Sequence, residues 1–223
     1  QLRNNLTEVA PSGELIPELA ESWEGSNGAK TWNFKIRQGV EFHNGKSLTA
    51  EDVVDSLNHH LGEESKSAAK GQLGAVTSVK ADGKYGVVVE LSGGDADFPF
   101  ILTDYHLLIC PSNGDGTIDW QSGTGTGGFT LVEHEPGVRT LTKANPNYWK
   151  PNRRFFDEVE TLQIADSAAR EAALRTGELD AMNNVSAKTA DLLKRQPGIV
   201  VDATKGNKQI TLPMLTNVAP FDN

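Results

Sequence analysis

The stretch SGTGTGGFTL, Ser122–Leu131, decides the fold, because Gly123-x-Gly125-x-x-Gly128 spells the pattern of a dinucleotide-binding turn. A working turn of that kind follows a buried strand, opens a helix and has an acidic residue roughly 20 positions on for the ribose. Here the preceding residues, Asn113-Gly-Asp-Gly-Thr-Ile-Asp-Trp-Gln121, form a polar loop. The following residues, Phe129–Glu135, alternate like a strand and meet Pro136-Gly137. From Gly137 to Phe156 there is no Asp or Glu. No helix opens, so no row of free N–H groups faces a pyrophosphate. A nucleotide-dependent enzyme using Gly123–Gly128 is therefore only an outside alternative, and the glycines need another role.

Working outward, the N-terminal side reads as α+β. Residues 11–22 carry two prolines and predict an irregular or short helical approach. Thr31-Trp-Asn-Phe-Lys-Ile-Arg37 alternates strictly, which predicts a half-buried strand; Val40 and Phe42 continue the alternation after Gln38-Gly39. Thr49-Ala-Glu-Asp52 is a helix start, with Val53, Val54, Leu57 and Leu61 sharing a face. Val76–Leu91 predicts a hairpin turning at Asp82-Gly83-Lys84, and Leu107–Pro111 an apolar strand. On the C-terminal side, a second hairpin turns at Pro136-Gly137. Strands are predicted over Val159–Ala165, Leu179–Met182, Ile199–Ala203 and Gln209–Leu215. Helices are predicted from Asp166-Ser167 to Gly177 and from Ser186 to Gln196. This is α/β alternation with an open sheet. The loose, glycine-rich residues 112–128 mark the boundary between the two regimes.

Composition narrows the function. The chain has 223 residues, 37% hydrophobic and 23% charged, which is ordinary for a globular protein. Its net charge of −9 and lack of a Lys/Arg-rich run argue against nucleic acid, where phosphates demand a basic face. No stretch reaches the roughly 20 apolar residues of a membrane helix. The single cysteine, Cys110, sits in an apolar segment and reads as a buried small hydrophobe. Gln1-Leu-Arg-Asn-Asn shows no signal-peptide pattern and no Met, and the chain stops in a loop, so an excised piece of a longer chain is expected.

No catalytic constellation is visible. His43, His59, His60, His106 and His134 lack metal-site spacing, so no metal and no cofactor are expected. Two segments are suggestive. Asp104-Tyr105-His106 interrupts an apolar run, and reads either as cleft lining or as a polar turn. Asn183-Asn184 follows a predicted strand, and reads either as a ligand-facing position at its carboxyl end or as a plain βα loop.

Several segments, in order, resemble one family. Leu19-Ala-Glu-Ser-Trp23, Thr31–Gly45 and Leu48-Thr-Ala-Glu-Asp-Val-Val-Asp-Ser-Leu57 look like the signature of peptide/nickel-type extracytoplasmic solute-binding proteins of ABC importers. Gly123–Phe129 resembles that family's Gly-Thr-Gly-Pro-Tyr turn, with Gly127-Gly128 in place of Gly-Pro. Asn145-Pro-Asn-Tyr-Trp149, Arg175-Thr-Gly-Glu-Leu-Asp180 and Ala219-Pro-Phe-Asp222 continue the match, and Lys143-Ala144 departs from it. The resemblance implies a fold of the periplasmic-binding-protein-like α/β class (type II, cluster C). The chain would cover most of the first lobe: residues 1–122 as an accessory subdomain, 123–219 as the central part and 220–223 as the start of the hinge crossing. The second lobe would be absent. It further implies a periplasmic, monomeric binding protein without enzymatic activity. Such a protein holds a peptide, or alternatively a chelated metal or oligosaccharide, between two lobes and delivers it to a permease. First-lobe ligand positions expected on this basis are Asp104, Tyr105, His106, Asn183, Asn184, Gln209 and Thr211, with Tyr105 stacking on ligand and the Asn amides pairing with peptide groups.

Overall fold

The computed structural model describes residues 1–203. The chain forms two compact units, Gln1–Gln163 and Ile164–Asn223. Among the described residues no helix is long and apolar enough to cross a membrane.

The first unit is built on antiparallel strands. β1 (Thr7–Val9) and β2 (Leu15–Pro17) form a short hairpin. Its turn is closed by Ala10 and Gly13, the latter at φ 88°. This corrects the irregular or helical approach expected over residues 11–22: Pro11 begins the turn and Pro17 ends a strand, positions that need no ladder N–H. β3 (Ala20–Ser26), β4 (Thr31–Ile36), β5 (Val76–Asp82) and β6 (Gly86–Leu91) form a sheet of order β3-β4-β6-β5. The alternation in β4 does what period two requires: Trp32, Phe34 and Ile36 are buried and Asn33 and Lys35 exposed. Phe34 stacks on Trp32 and meets Phe98 edge-on at 6.3 Å.

Helix α1 (Ala50–Leu61) packs on this sheet through Val53 and Leu57. Its start is fixed by Asp52, which is fully buried. Asp52 Oδ2 accepts from the Thr49 N–H at 2.8 Å, and Oδ1 accepts from Lys46 Nζ at 2.6 Å and from the Ser112 N–H at 2.8 Å. A buried carboxylate is tolerated because these donors replace its water. A short helix, α2 (Phe98–Ile101), follows β6. Leu107–Pro111, expected as an apolar strand, forms none. Its N–H groups are taken elsewhere: Cys110 N–H donates to Ser56 Oγ at 3.0 Å, Ile109 N–H to the Asn4 carbonyl at 3.0 Å and Leu107 N–H to the Asp104 carbonyl at 2.9 Å. Cys110 is buried.

β7 (Phe129–Glu135), β8 (Arg139–Ala144) and β9 (Glu158–Leu162) complete the unit as an antiparallel sheet. The glycine run around Gly127 is packed against the chain's first residues. Gly127 N–H donates to the Leu2 carbonyl at 2.9 Å and Phe129 N–H to that of Gln1 at 3.3 Å.

In the second unit, α3 (Ser167–Thr176) starts at Asp166, whose side chain accepts from Ala169 N–H at 2.7 Å, and stops at Gly177 with φ 80°. The strand expected over Leu179–Met182 does not form. Leu179 N–H and Glu178 N–H both donate to the Ala173 carbonyl, so the α3 cap consumes what a ladder would need. The second helix is only α4 (Ala190–Leu193), preceded by turns from Ser186. Residues 199–203 carry no strand either. The expected α/β alternation is thus incomplete among the described residues, whose strands all pair antiparallel. The Gln209–Leu215 strand and the hinge crossing from Pro220 lie outside the described residues.

Candidate ligand cleft

Residues Arg3–Thr7 run beside the 99–109 segment and are pinned to it. Asn5 Nδ2 donates to the carbonyls of Asp104 at 2.8 Å and Leu107 at 3.2 Å. Thr7 Oγ1 donates to the Pro99 carbonyl at 2.7 Å. Between them opens a cleft of about 380 Å³ lined by Asn4, Asn5, Thr7, Glu8, Glu18 and Thr103, among others. A larger depression of about 660 Å³ lies on the sheet around Trp23 and Tyr85, but its charged lining residues Glu24, Lys35 and Asp82 are all exposed. The smaller cleft is lined by buried charge at Glu18, a combination expected of a built site.

The Asp104-Tyr105-His106 turn follows directly on Thr103. Asp104 Oδ1 accepts from the His106 N–H at 2.8 Å and lies 2.7 Å from His106 Nδ1; Oδ2 accepts from Gln72 Nε2 at 3.0 Å. Burial would raise the Asp104 carboxyl, but the hydrogen bonds from His106 and Gln72 and the nearby imidazole outweigh it and hold it below the usual range. The contact assigns Nδ1–H to His106 and leaves Nε2 available. Tyr105 is 74% exposed and lies over the His106 ring with 3.9 Å between centroids. An exposed aromatic on a turn held from both ends is ready for stacking at little entropic cost.

Behind the cleft sits a charge cluster with no counterpart in the sequence reading. Glu18, with a side chain only 5% exposed, and Glu8 share Lys150; the Lys150–Glu8 distance is 2.7 Å and the Lys150–Glu18 contact is closer still. Asn4 Nδ2 donates to Glu18 Oε1 at 2.6 Å, and Asn4 Oδ1 accepts from Thr126. Burial raises the Glu18 carboxyl, and Lys150 only partly offsets this. Burial alone would lower Lys150, but the two carboxylates raise it. Arg37 lies over the Trp149 ring at 4.9 Å and donates to the Glu18 carbonyl, bracing the same corner. Nothing local in the sequence marks Glu18 as buried.

The glycine run has a packing role. A side chain at Gly125 or Gly127 would overlap the backbone of Leu2 or Gln1. His43 clasps it: Nδ1 accepts from the Gly125 N–H at 3.2 Å and Nε2 donates to the Gly127 carbonyl at 3.0 Å. β7 follows at once, so the outside nucleotide alternative has no helix N-terminus to rest on. Of the other expected ligand positions, Asn183 and Asn184 belong to the second unit, on an exposed loop before α4, with Asn184 at φ 53°. Gln209 and Thr211 lie outside the described residues. Asp104, Tyr105 and His106 share one turn, which follows Thr103 at the edge of the cleft.

Comparison with known proteins was made against this geometry. Residues 14–223 match the family described as "Bacterial extracellular solute-binding proteins, family 5 Middle". The chain is 24% identical over 245 residues to the di/tripeptide-binding protein 1 of Pseudomonas aeruginosa, covering 98% of this chain and 46% of that protein. Among solved structures, the PBP AgaA from A. tumefacien R10, in complex with agropinic acid, superposes with a TM-score of 0.80 at 27% identity, covering 88% of this chain and 40% of that one. The periplasmic binding protein DppA from Helicobacter pylori, in complex with peptide STSA, gives 0.77 at 25% identity, covering 90% and 44%. The chain thus spans less than half the length of these relatives.

Proposed function

The chain belongs to the bacterial extracellular solute-binding proteins of family 5, and from that premise we propose that it is the first-lobe part of the substrate-binding component of an ABC importer. The whole protein captures a peptide or a similar small solute outside the cytoplasmic membrane and hands it, as a monomer, to permease subunits. It performs no chemistry on its cargo. The mechanism is closure of a second lobe over the cleft described here, driven by contacts that ligand makes only in the closed state. The observation that supports this reading is a cleft lined by Asn5, Thr103 and the buried Glu18, with the Asp104-Tyr105-His106 turn following on Thr103 and held by Asn5. Tyr105 supplies a stacking face, and Asn183 and Asn184, on an exposed loop, offer amides that can pair with peptide groups. Residues 1–122 act as the accessory subdomain, and 123–219 as the central part.

A thermal-shift series on the full-length protein tests this, with di- and oligopeptides, cello-oligosaccharides and nickel–histidine, and with NAD and ATP as controls. Ligand at about 100 times Kd stabilises by roughly 2.7 kcal/mol. A peptide shift that weakens on Tyr105→Ala is the expected result. A shift with NAD or ATP alone would refute the reading.

A further inference from the structure

We propose that Asn27, at the tip of the β3–β4 hairpin, is a site of spontaneous covalent modification: the Gly28 amide nitrogen attacks its carboxamide, and the residue passes through a succinimide to aspartate or isoaspartate. This stands independently of the solute-binding reading.

Asparagine is a thermolabile side chain, most of all where a following glycine leaves the next backbone nitrogen unshielded. The sequence Asn-Gly occurs three times, at Asn27-Gly28, Asn44-Gly45 and Asn113-Gly114. All three asparagines are exposed, and all three glycines have open space around them. Hydrogen bonding separates the sites. The attacking nitrogen must shed its proton and turn to the side chain, so any hydrogen bond from that N–H has to break first. Gly45 N–H donates to the Phe42 carbonyl at 2.8 Å, and Gly114 N–H to Ser112 Oγ at 2.9 Å. Gly28 N–H has no acceptor among the described residues. The other two asparagines are also held more firmly. Asn44 Oδ1 accepts from the Lys46 N–H at 3.0 Å, and Asn113 is fixed twice by Thr117, through its N–H and its Nδ2.

The step needs only water. Gly28 N gives its proton to solvent and bonds to Asn27 Cγ; the Cγ–Nδ2 bond breaks and Nδ2 leaves as ammonia. Water then opens the ring at either carbonyl. The product does not suit its place. Thr31 Oγ1 accepts from Asn27 Nδ2 at 3.0 Å and gives its own proton to Glu90 Oε2 at 2.8 Å. A carboxylate at position 27 replaces that donor by an acceptor, so two carboxylates compete for one hydroxyl proton. Isoaspartate also lengthens the backbone of a turn tied to its neighbour, the Ala29 carbonyl by Asp95 N–H at 3.0 Å and the Lys30 carbonyl by Leu91 N–H at 2.7 Å. None of these residues lines the cleft, so the cost falls on stability.

The test is peptide mapping by mass spectrometry of the full-length protein, incubated in mildly alkaline buffer, folded and in urea. In the folded protein Asn27 should convert at least about five-fold faster than Asn44 or Asn113, the factor that one net hydrogen bond is worth. In urea the three rates should converge, since each asparagine is followed by the same residue. Asn27→Gln should abolish the fast conversion. Asn27→Asp should lower the urea midpoint, and Glu90→Gln, which removes the competing carboxylate, should recover part of that loss. If Asn44 or Asn113 converts as fast as Asn27 in the folded protein, or if Asn27 keeps its amide there while converting in urea, the inference is overturned. An unchanged midpoint for Asn27→Asp would overturn the cost assigned to the product.

Discussion

His43→Ala is the most informative single perturbation of the frame that carries the cleft. His43 joins the turn after β4 to the buried glycine run, which in turn holds the first residues of the chain against the cleft. Removing the ring takes the side-chain acceptor from the Gly125 N–H; a buried donor left unpaired costs about 1–3 kcal/mol. The Gly127 carbonyl loses one donor but keeps Asn145 Nδ2 at 3.0 Å, so that loss is nearer the net value of an ordinary hydrogen bond, about 0.5–1 kcal/mol. The sum is roughly 2–3 kcal/mol of destabilisation at pH 7.5. The same residue sets a pH dependence. Burial, with Arg3 nearby, lowers the His43 pKa despite the Gly127 carbonyl. Below an unfolded value of about 6.5, the unfolded chain therefore binds more protons, and stability falls as pH drops from there through the folded value. His60, lowered by burial and by His59 and His106, adds in the same direction. The variant should thus keep only part of the loss between pH 7.5 and 5.5. Trp23, Trp32, Trp120 and Trp149, all the tryptophans of the chain, lie in Gln1–Gln163, so their fluorescence in urea reports this unit alone. A midpoint shift at constant m-value gives the energy directly. A destabilisation under about 0.5 kcal/mol, or an unchanged pH slope, would refute the clasp.

Further outcomes follow from the same geometry. Asp52→Ala strands the Ser112 N–H and the Lys46 ammonium; because Lys46 can turn to water, the expected loss is about 2–4 kcal/mol, read from urea unfolding. Gly127→Ala should cost more than about 2 kcal/mol, since its Cβ overlaps backbone. Gly93→Ala, with open space around it, should stay within about 0.5 kcal/mol, and equal losses at the two glycines would rule out the packing account. Phe34→Ala, at the centre of the core between Trp32 and Phe98, should cost about 3–5 kcal/mol in the same assay.

What the sequence determined by itself was whatever depends on neighbours along the chain. Period-two alternation placed Trp32, Phe34 and Ile36 inward; the Thr49–Asp52 pattern started α1; Asp82-Gly83 and Pro136-Gly137 turned the hairpins; Asp166 and Gly177 bounded α3. Each rests on backbone sterics or a hydrogen bond spanning a few residues. The quoted motifs were also sufficient for the family. Tertiary structure alone decided where long-range partners are drawn. Leu107–Pro111 lost its ladder because Ser56 and Asn4 took its backbone groups, and Leu179 was claimed by the α3 cap. The Asp104-Tyr105-His106 turn is fixed by Asn5, 99 positions away, which holds its carbonyl. Glu8, Glu18 and Lys150 carry no local mark at all. Their meaning comes from burial beside one another, and burial is set by packing between segments more than 100 residues apart, which no local pattern encodes.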